Sequence, residues 1–149
     1  MLLSDIAIAL PLEENLIVPL QQWGKKVDWH LVKHVHVIHV VKKSIAPFEF
    51  GLMEIPDAKT YEDMTPTLHD FLRSESRKII APEFKGEVSF HLSIDFHPEE
   101  EMVRMLKHLT PNMVVVATQG RHGFEGLFHG SFSEHLLRFA PCDVYVVRL

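Results

Sequence analysis

The last quarter of the chain, residues 113–149, reads MVVVATQGRHGFEGLFHGSFSEHLLRFAPCDVYVVRL. It begins with a continuous apolar run at 113–117 and continues through a loop that contains several glycines. Gly130-Ser131 then opens an amphipathic stretch, and Pro141 separates that stretch from a final apolar run. A strand, a glycine-rich loop and a helix in this order present backbone N–H groups to a phosphate. The pattern therefore predicts an anion-binding loop between a buried strand and a helix.

Four segments have the short, continuous, β-branched composition of strands buried on both faces. They span residues 6–10, 34–41, 113–118 and 144–148. A fifth segment, residues 87–95, alternates instead and places Val88, Phe90, Leu92 and Ile94 on one face. Because alternation indicates one exposed face, this segment is predicted to lie at an edge of the sheet.

Helical patterns lie between these strands. Residues 98–109 open with a proline and three glutamates, which suit a helix N-terminus, and the stretch after Gly130 opens with a Ser-x-x-Glu capping box. Residues 67–80 carry another apolar stripe at helical spacing. Because Pro19 interrupts residues 13–26, the first helix is predicted to begin only near Val18.

Strands that alternate with helices predict parallel pairing through right-handed crossovers. The fold class is therefore an α/β fold with a single open, doubly wound sheet and helices on both faces. Ligands of such sheets bind beyond the carboxyl ends of the strands, where the strand order reverses. Residues 44–65 contain Pro47, Pro56 and several carboxylates. We predict that they form a long loop or flap on that ligand-binding side.

The overall composition narrows the function. A length of 149 residues suits one domain, which we assign to residues 1–149. The formal charge of −5 provides no basic surface, so we expect no nucleic-acid partner. The single Cys142 suits a reducing compartment. Apolar runs are short and the first twelve residues lack a signal-peptide pattern, so we expect a cytoplasmic protein without a membrane partner.

The C-terminal quarter resembles the universal stress protein family. Ala117-Thr118-Gln119-Gly120, nine further residues and Gly130-Ser131 parallel the family's Gly-x-x-Gly-(nine)-Gly-Ser/Thr phosphate signature. Similar segments at 35–41, 95–109 and 138–147 extend the resemblance over most of the chain. The resemblance implies a five-stranded parallel sheet in the order 3-2-1-4-5. It also implies a homodimer that forms through the last strand.

Two positions depart from the nucleotide-binding members of the family. Ala117 stands at the first signature glycine, and Pro11 stands where those members have an aspartate that contacts the nucleotide. The resemblance thus implies a degenerate site for an adenine nucleotide, ATP or AMP. Its residues are Ala9, Pro11, Val40, Val116, Ala117, Gly120, Gly130, Ser131, Phe132 and Ser133.

Several alternatives stay open at this stage. Ser131 and Glu134 could simply cap their own helix, and the chain could be a dimeric scaffold or interaction protein that does not bind nucleotide. A slow nucleotide hydrolase would need His122 to activate water, but we expect a binding or regulatory module and not an enzyme, with no catalytic residue. His34-x-His36 places two imidazoles on one strand face. No third ligand has convincing spacing, so no metal site is predicted.

Overall fold

The computed structural model describes residues 4–118 and 131–148. In chain order, the helices are α1 (Glu14–Gly24), α2 (Ala58–Ile79), α3 (Pro98–Leu109) and α4 (Ser131–Phe139), with a short 3-10 turn at Trp29–Leu31. The strands are β1 (Asp5–Ala9), β2 (His34–Lys42), β3 (Ser44–Phe48), β4 (Gly51–Ile55), β5 (Glu87–Asp95), β6 (Met113–Ala117) and β7 (Asp143–Val147).

Five of these strands form one sheet in the order β5-β2-β1-β6-β7, and each neighbouring pair is parallel. Counted along the chain without the two strands that lie outside the sheet, this order is 3-2-1-4-5. The predicted fold class and strand order are confirmed. The core divides into one apolar cluster against α1 and α2 and a second against α3 and α4, so helices cover both faces.

The burial of each strand follows its place in the sheet. All five residues of β6 are buried, as are Ile6 to Ala9 of β1, because both strands are flanked on two sides and covered on two faces. This position explains their continuous apolar sequences. The alternating β5 lies at one edge, as predicted, and most of its residues are half-buried. β7 forms the other edge.

The prediction for the first helix was wrong. α1 begins at Glu14 and runs through Pro19, whose missing N–H leaves the carbonyl of Asn15 without its usual helical partner. Ile17, Leu20 and Trp23 of this helix are buried against the sheet. Burying three large apolar side chains stabilises the helix by more than one lost hydrogen bond destabilises it.

The predicted loop at residues 44–65 was also wrong. β3 and β4 form an antiparallel hairpin there, and α2 starts at Ala58 instead of residue 67. Asp57 caps α2, because its carboxylate accepts a hydrogen bond of 2.8 Å from the Thr60 N–H. Pro66 lies inside this helix. The two prolines that indicated a loop occur within β3 and directly after β4.

Gly24 allows α1 to approach the end of α2. A Cβ at this position would lie 2.1 Å from the carbonyl oxygen of Ile79, a backbone atom that cannot rotate away. We expect Gly24→Ala to lower the free energy of unfolding by about 1 to 3 kcal/mol, measured by urea denaturation. Gln22→Ala, at an exposed position of the same helix, is the control. Equal stability of both variants would contradict the close approach.

Candidate functional site

A cavity of about 230 Å³ opens at the carboxyl ends of β1, β2 and β6. The described residues that line it are Ala9, Leu10, Pro11, Glu13, Leu16, Ile38, His39, Val40, Pro98, Met102, Val116, Ala117 and Phe132. β1 is the central strand, and the chain passes from it first to β2 on one side and later to β6 on the other. The cavity thus lies where the strand order reverses, the usual ligand position in open α/β sheets.

The structure brings together six of the ten site residues predicted from the sequence. They are Ala9, Pro11, Val40, Val116, Ala117 and Phe132. Ser133 is buried in α4 but does not line the cavity. Ser131 begins α4 as predicted, although its side chain lies outside the described residues. Gly120, Gly130 and His122 also lie outside them, so the anion-binding loop stays a prediction.

Two lining residues that the sequence reasoning missed give the cavity its polar groups. The Nδ1–H of His39 donates a hydrogen bond of 2.8 Å to the carbonyl oxygen of Leu10. Burial lowers the pKa of His39, so its imidazole is neutral near pH 7, and Nε2 then carries a lone pair. Glu13 lies close enough to counteract part of that shift. A neutral acceptor and a carboxylate in an apolar cavity suit the N–H and O–H donors of a ligand.

The sequence did contain a signal for both residues. His39 directly precedes Val40 in the carboxyl-terminal half of β2, and Glu13 follows Pro11 by two positions. Polar side chains near the carboxyl ends of parallel strands are candidates for ligand contacts. The chain has eleven histidines, and their spacing alone does not single out His39.

The backbone amides nearest the cavity are already hydrogen-bonded. The N–H of Leu10 donates to the carbonyl of Ile38, and the N–H of Thr118 donates to that of Val147, each at 2.9 Å. The N-terminus of α3 is also near, since Pro98 lines the cavity, but its first turn carries three glutamates. Their charges repel an anion at this helix end. The N–H groups of Leu10 and Thr118 are therefore not free to bind a phosphate.

Three histidines lie together at the opposite, amino-terminal end of β2. His36 Nδ1 is 3.0 Å from His91 Nε2, and the His34 and His36 rings are 4.0 Å apart between centroids. Burial, followed by the nearby His34 and His91, lowers the pKa of His36 to about 4. Within residues 4–118 and 131–148, no group of three His, Cys, Asp or Glu side chains is arranged to hold a metal ion. His91 is the third imidazole that sequence spacing did not reveal.

Cys142 is a free, half-buried thiol whose pKa is raised by burial. It packs with the α3 and α4 side of the core. A raised pKa reduces the thiolate that a nucleophile needs, so the position suits packing rather than catalysis. Over the described part of the chain, no helix combines the length and the apolarity that crossing a bilayer requires.

Solved structures with the same fold cover nearly the whole chain. Universal stress protein UspA from Lactobacillus plantarum matches with a TM-score of 0.63 and 16% identity over 99% of both chains. The universal stress protein from Archaeoglobus fulgidus in complex with dAMP matches with a TM-score of 0.55 and 16% identity, again over 99% of both chains.

A third structure is a universal stress protein family protein from Arabidopsis thaliana with AMP bound. It matches with a TM-score of 0.52 and 14% identity over 97% of this chain and 91% of that one. No curated protein matches the sequence significantly. The model of the universal stress protein family matches residues 30–148, which include β2 through β7 and most of the cavity wall. The chain therefore belongs to the universal stress protein family.

Proposed function

We propose that this chain is a stress-response binding module that takes an adenine nucleotide, ATP or AMP, in the cavity at the carboxyl ends of β1, β2 and β6. The observation that carries the proposal is the apolar lining by Ala9, Val40, Val116 and Phe132 at the point where the strand order reverses. Two relatives with the same fold hold dAMP and AMP. The lone cysteine supports a cytoplasmic setting.

Different parts of the site are proposed to bind different parts of the nucleotide. Its volume of about 230 Å³ is below the roughly 300 to 1,000 Å³ of most ligand sites, so the described walls suit a base and its sugar. His39 Nε2 accepts a hydrogen bond from the ligand, and Glu13 accepts from a sugar hydroxyl. The phosphate is assigned to the glycine loop, with Gly120, Gly130 and Ser131 as its predicted contacts.

Affinity is expected to be weak because of two residues. Because Pro11 supplies no carboxylate, the binding free energy is weaker by about 1.5 to 3 kcal/mol. The methyl group of Ala117 weakens it by about 1 to 3 kcal/mol more, because the backbone there must approach the ligand closely. Starting from a micromolar site, these losses leave a dissociation constant of about 1 mM or weaker. The occupancy of such a weak site changes only with large changes in nucleotide concentration, and the bound ligand dissociates readily.

An NMR titration with AMP and ATP tests the proposal. We expect amide shifts to concentrate at Val40, Val116 and Phe132 and to fit a dissociation constant of about 1 mM. The absence of shifts at about 10 mM ligand would reject the nucleotide site. In that case the alternative, a dimeric scaffold that does not bind nucleotide, would gain support from the occupied N–H groups of Leu10 and Thr118.

A single substitution tests the role of His39. We expect His39→Phe to weaken AMP binding about 3- to 10-fold, because it keeps an aromatic ring but removes the acceptor nitrogen. Isothermal titration calorimetry provides the measurement. His30→Phe, at an exposed position remote from the cavity, should leave affinity unchanged. Equal affinities for the two variants would show that Nε2 makes no contact with the ligand.

We also propose that the chain forms a homodimer through β7. This strand is an edge of the sheet, and Tyr145 is 50% exposed although its neighbours are apolar. A free apolar edge invites pairing, and a two-fold axis allows both copies to cover the same edge. Tyr145→Asp is expected to lower the mass measured by light scattering. An unchanged mass would place the dimer contact elsewhere.

A further inference from the structure

The β3–β4 hairpin exposes large apolar side chains on both of its faces. Phe50 is 84% exposed and Leu52 is 71% exposed. The other members of the patch are Ile45, Phe48, Met53 and Ile55. In the strand register, Phe48, Met53 and Ile55 share one face, while Ile45 and Leu52 share the other. Neither face is therefore the polar, solvated side that a two-sided hairpin normally has.

The exposed apolar area is large for so short a hairpin. If a fully exposed large apolar side chain presents about 200 Å², these six side chains expose on the order of 700 Å² over the two faces together. A contact along the edge of the hairpin covers part of each face, and the combined area is comparable with the largest apolar patches on monomeric proteins. A standard interface buries about 800 Å² on each partner.

The backbone of the hairpin indicates which edge a partner strand would use. In the described part of the chain, β3 and β4 pair only with each other, and a lone two-stranded hairpin is marginally stable in water. Pro47 deprives β3 of one N–H donor. β4 contains no proline, and no described residue pairs with the row of N–H and C=O groups along its outer edge. A further strand is therefore best added beside β4.

Charge distinguishes between kinds of partner. Residues 44–57 contain Glu49, Glu54 and Asp57, and the flanking Lys42, Lys43 and Lys59 only balance these charges, so the hairpin has no net positive charge to attract an anionic lipid surface. The Glu54 carboxylate lies 3.1 Å from the Nζ of Lys43, directly before β3, which compensates its charge. A second copy of the hairpin thus meets an apolar surface whose central carboxylate is already paired.

We propose that the hairpin is a self-association arm, in which β4 of one protomer pairs antiparallel with β4 of a second copy to form a four-stranded sheet. The two-fold axis makes the contact self-complementary, since the same strand is presented by both copies. The apolar patches of the two hairpins then lie side by side, and each hairpin gains the additional strands that it lacks. This contact does not depend on nucleotide binding.

The arm is separate from the edge assigned above to the homodimer. β3 begins two residues after the end of β2, which lies toward the β5 side of the sheet, whereas β7 is the opposite edge. Both contacts can therefore form in one assembly. Two different two-fold contacts on each protomer give species larger than a dimer.

Sedimentation velocity of the full chain at about 1 to 100 µM tests the proposal with matched variants. Leu52→Asp places one carboxylate from each protomer in the proposed contact. We expect it to raise the dissociation constant of self-association about 100-fold or more. Leu31→Asp changes the same residue type at 59% exposure on the 3-10 turn before β2 and should sediment like the natural chain. Circular dichroism verifies that each variant is folded.

Tyr145→Asp separates the two interfaces. Association that persists in Tyr145→Asp and disappears when Leu52→Asp is added supports the arm, whether or not β7 also forms a contact. If Leu52→Asp sediments like Leu31→Asp at every concentration, the proposal is overturned. It is equally overturned if the natural chain stays monomeric and co-sediments with phosphatidylcholine vesicles in a manner that Leu52→Asp abolishes, because the patch would then bind lipid.

Discussion

Pro11→Asp is expected to bind AMP about 10- to 100-fold more tightly than the natural chain. Position 11 lines the cavity directly after β1, where nucleotide-binding members of the family carry an aspartate. A carboxylate that accepts hydrogen bonds from a sugar contributes about 1.5 to 3 kcal/mol, which corresponds to this change in affinity. The substitution also removes a fixed φ angle next to the strand, a smaller effect. Calorimetric titration of both proteins with AMP measures the difference.

Leu12→Asp is the matched control for this gain. It adds the same charge one position later, on an exposed residue that does not line the cavity. An effect of net charge alone would change both variants equally, and with a negative ligand it would weaken binding. Tighter binding by Pro11→Asp alone supports the site. If neither variant binds AMP, the cavity is not a nucleotide site and the missing aspartate is not the reason for weak affinity.

The sheet could be predicted because burial on two faces leaves a simple signature. Val114, Val115 and Val116 are all fully or nearly fully buried, so no polar residue interrupts the run. The same holds for β1 at Ile6 to Ala9. β5 alternates because Val88, Phe90 and Leu92 pack against the apolar cluster on the α1 and α2 side, while the residues between them lie on the other face of the strand. Parallel order then followed from the alternation of strands with helices.

The hairpin could not be predicted because the two central residues of its turn are not typical turn residues, although Gly51 follows them with a φ of 146°. Glu49-Phe50 connects β3 to β4, whereas two-residue hairpin turns favour Asn-Gly or a similar pair. Its exposed apolar side chains also have no core to face. Proline also misled the prediction of the first helix, since Pro19 lies inside α1. Proline destabilises a helix locally, but burial of the surrounding side chains in the tertiary structure stabilises the helix by more than that.

The family resemblance implied residues of the candidate site but not its polar chemistry. Ala9, Val40 and Val116, which that resemblance implied, line the cavity at the carboxyl ends of β1, β2 and β6. Glu13 and His39 come together only through the fold, since α1 and β2 are separated in sequence by the 3-10 turn. The hydrogen bond from His39 to Leu10 fixes which ring nitrogen carries the proton and which carries the lone pair, and no spacing rule reports a tautomer.

We predict from the buried and half-buried histidines that the protein becomes less stable in mild acid. We expect the free energy of unfolding to fall as the pH decreases from about 6.5 to 4, with His36 alone contributing on the order of 2 kcal/mol. The full shift of the His36 pKa corresponds to a larger free energy. The neighbouring His34 and His91 are only half-buried, so solvent screening reduces the contribution to stability. Burial also lowers the pKa of His39 and His91, so their contributions have the same sign.

The direction follows from where the protons bind. The pKa of His36 is about 4 in the folded chain and 6.5 in the unfolded chain, so between these values only the unfolded chain takes up the proton. Stability is therefore unaffected above pH 6.5 and decreases as the pH falls through this window. Protonating His36 in the folded chain would bring its charge against His34 and His91, at the pairing of β2 with the edge strand β5.

Urea denaturation of His36→Gln across this pH range isolates the contribution. Carboxylates also lose stabilising interactions in acid, but they do so equally in both proteins, so the difference between the curves belongs to position 36. The variant curve is expected to be flatter by on the order of 2 kcal/mol between pH 6.5 and 4. His30→Gln, at an exposed position, should retain the slope of the natural chain. Parallel curves for His36→Gln and the natural chain would mean that His36 is protonated without cost in the folded state. The close contact with His91 would then have to open before the protein unfolds.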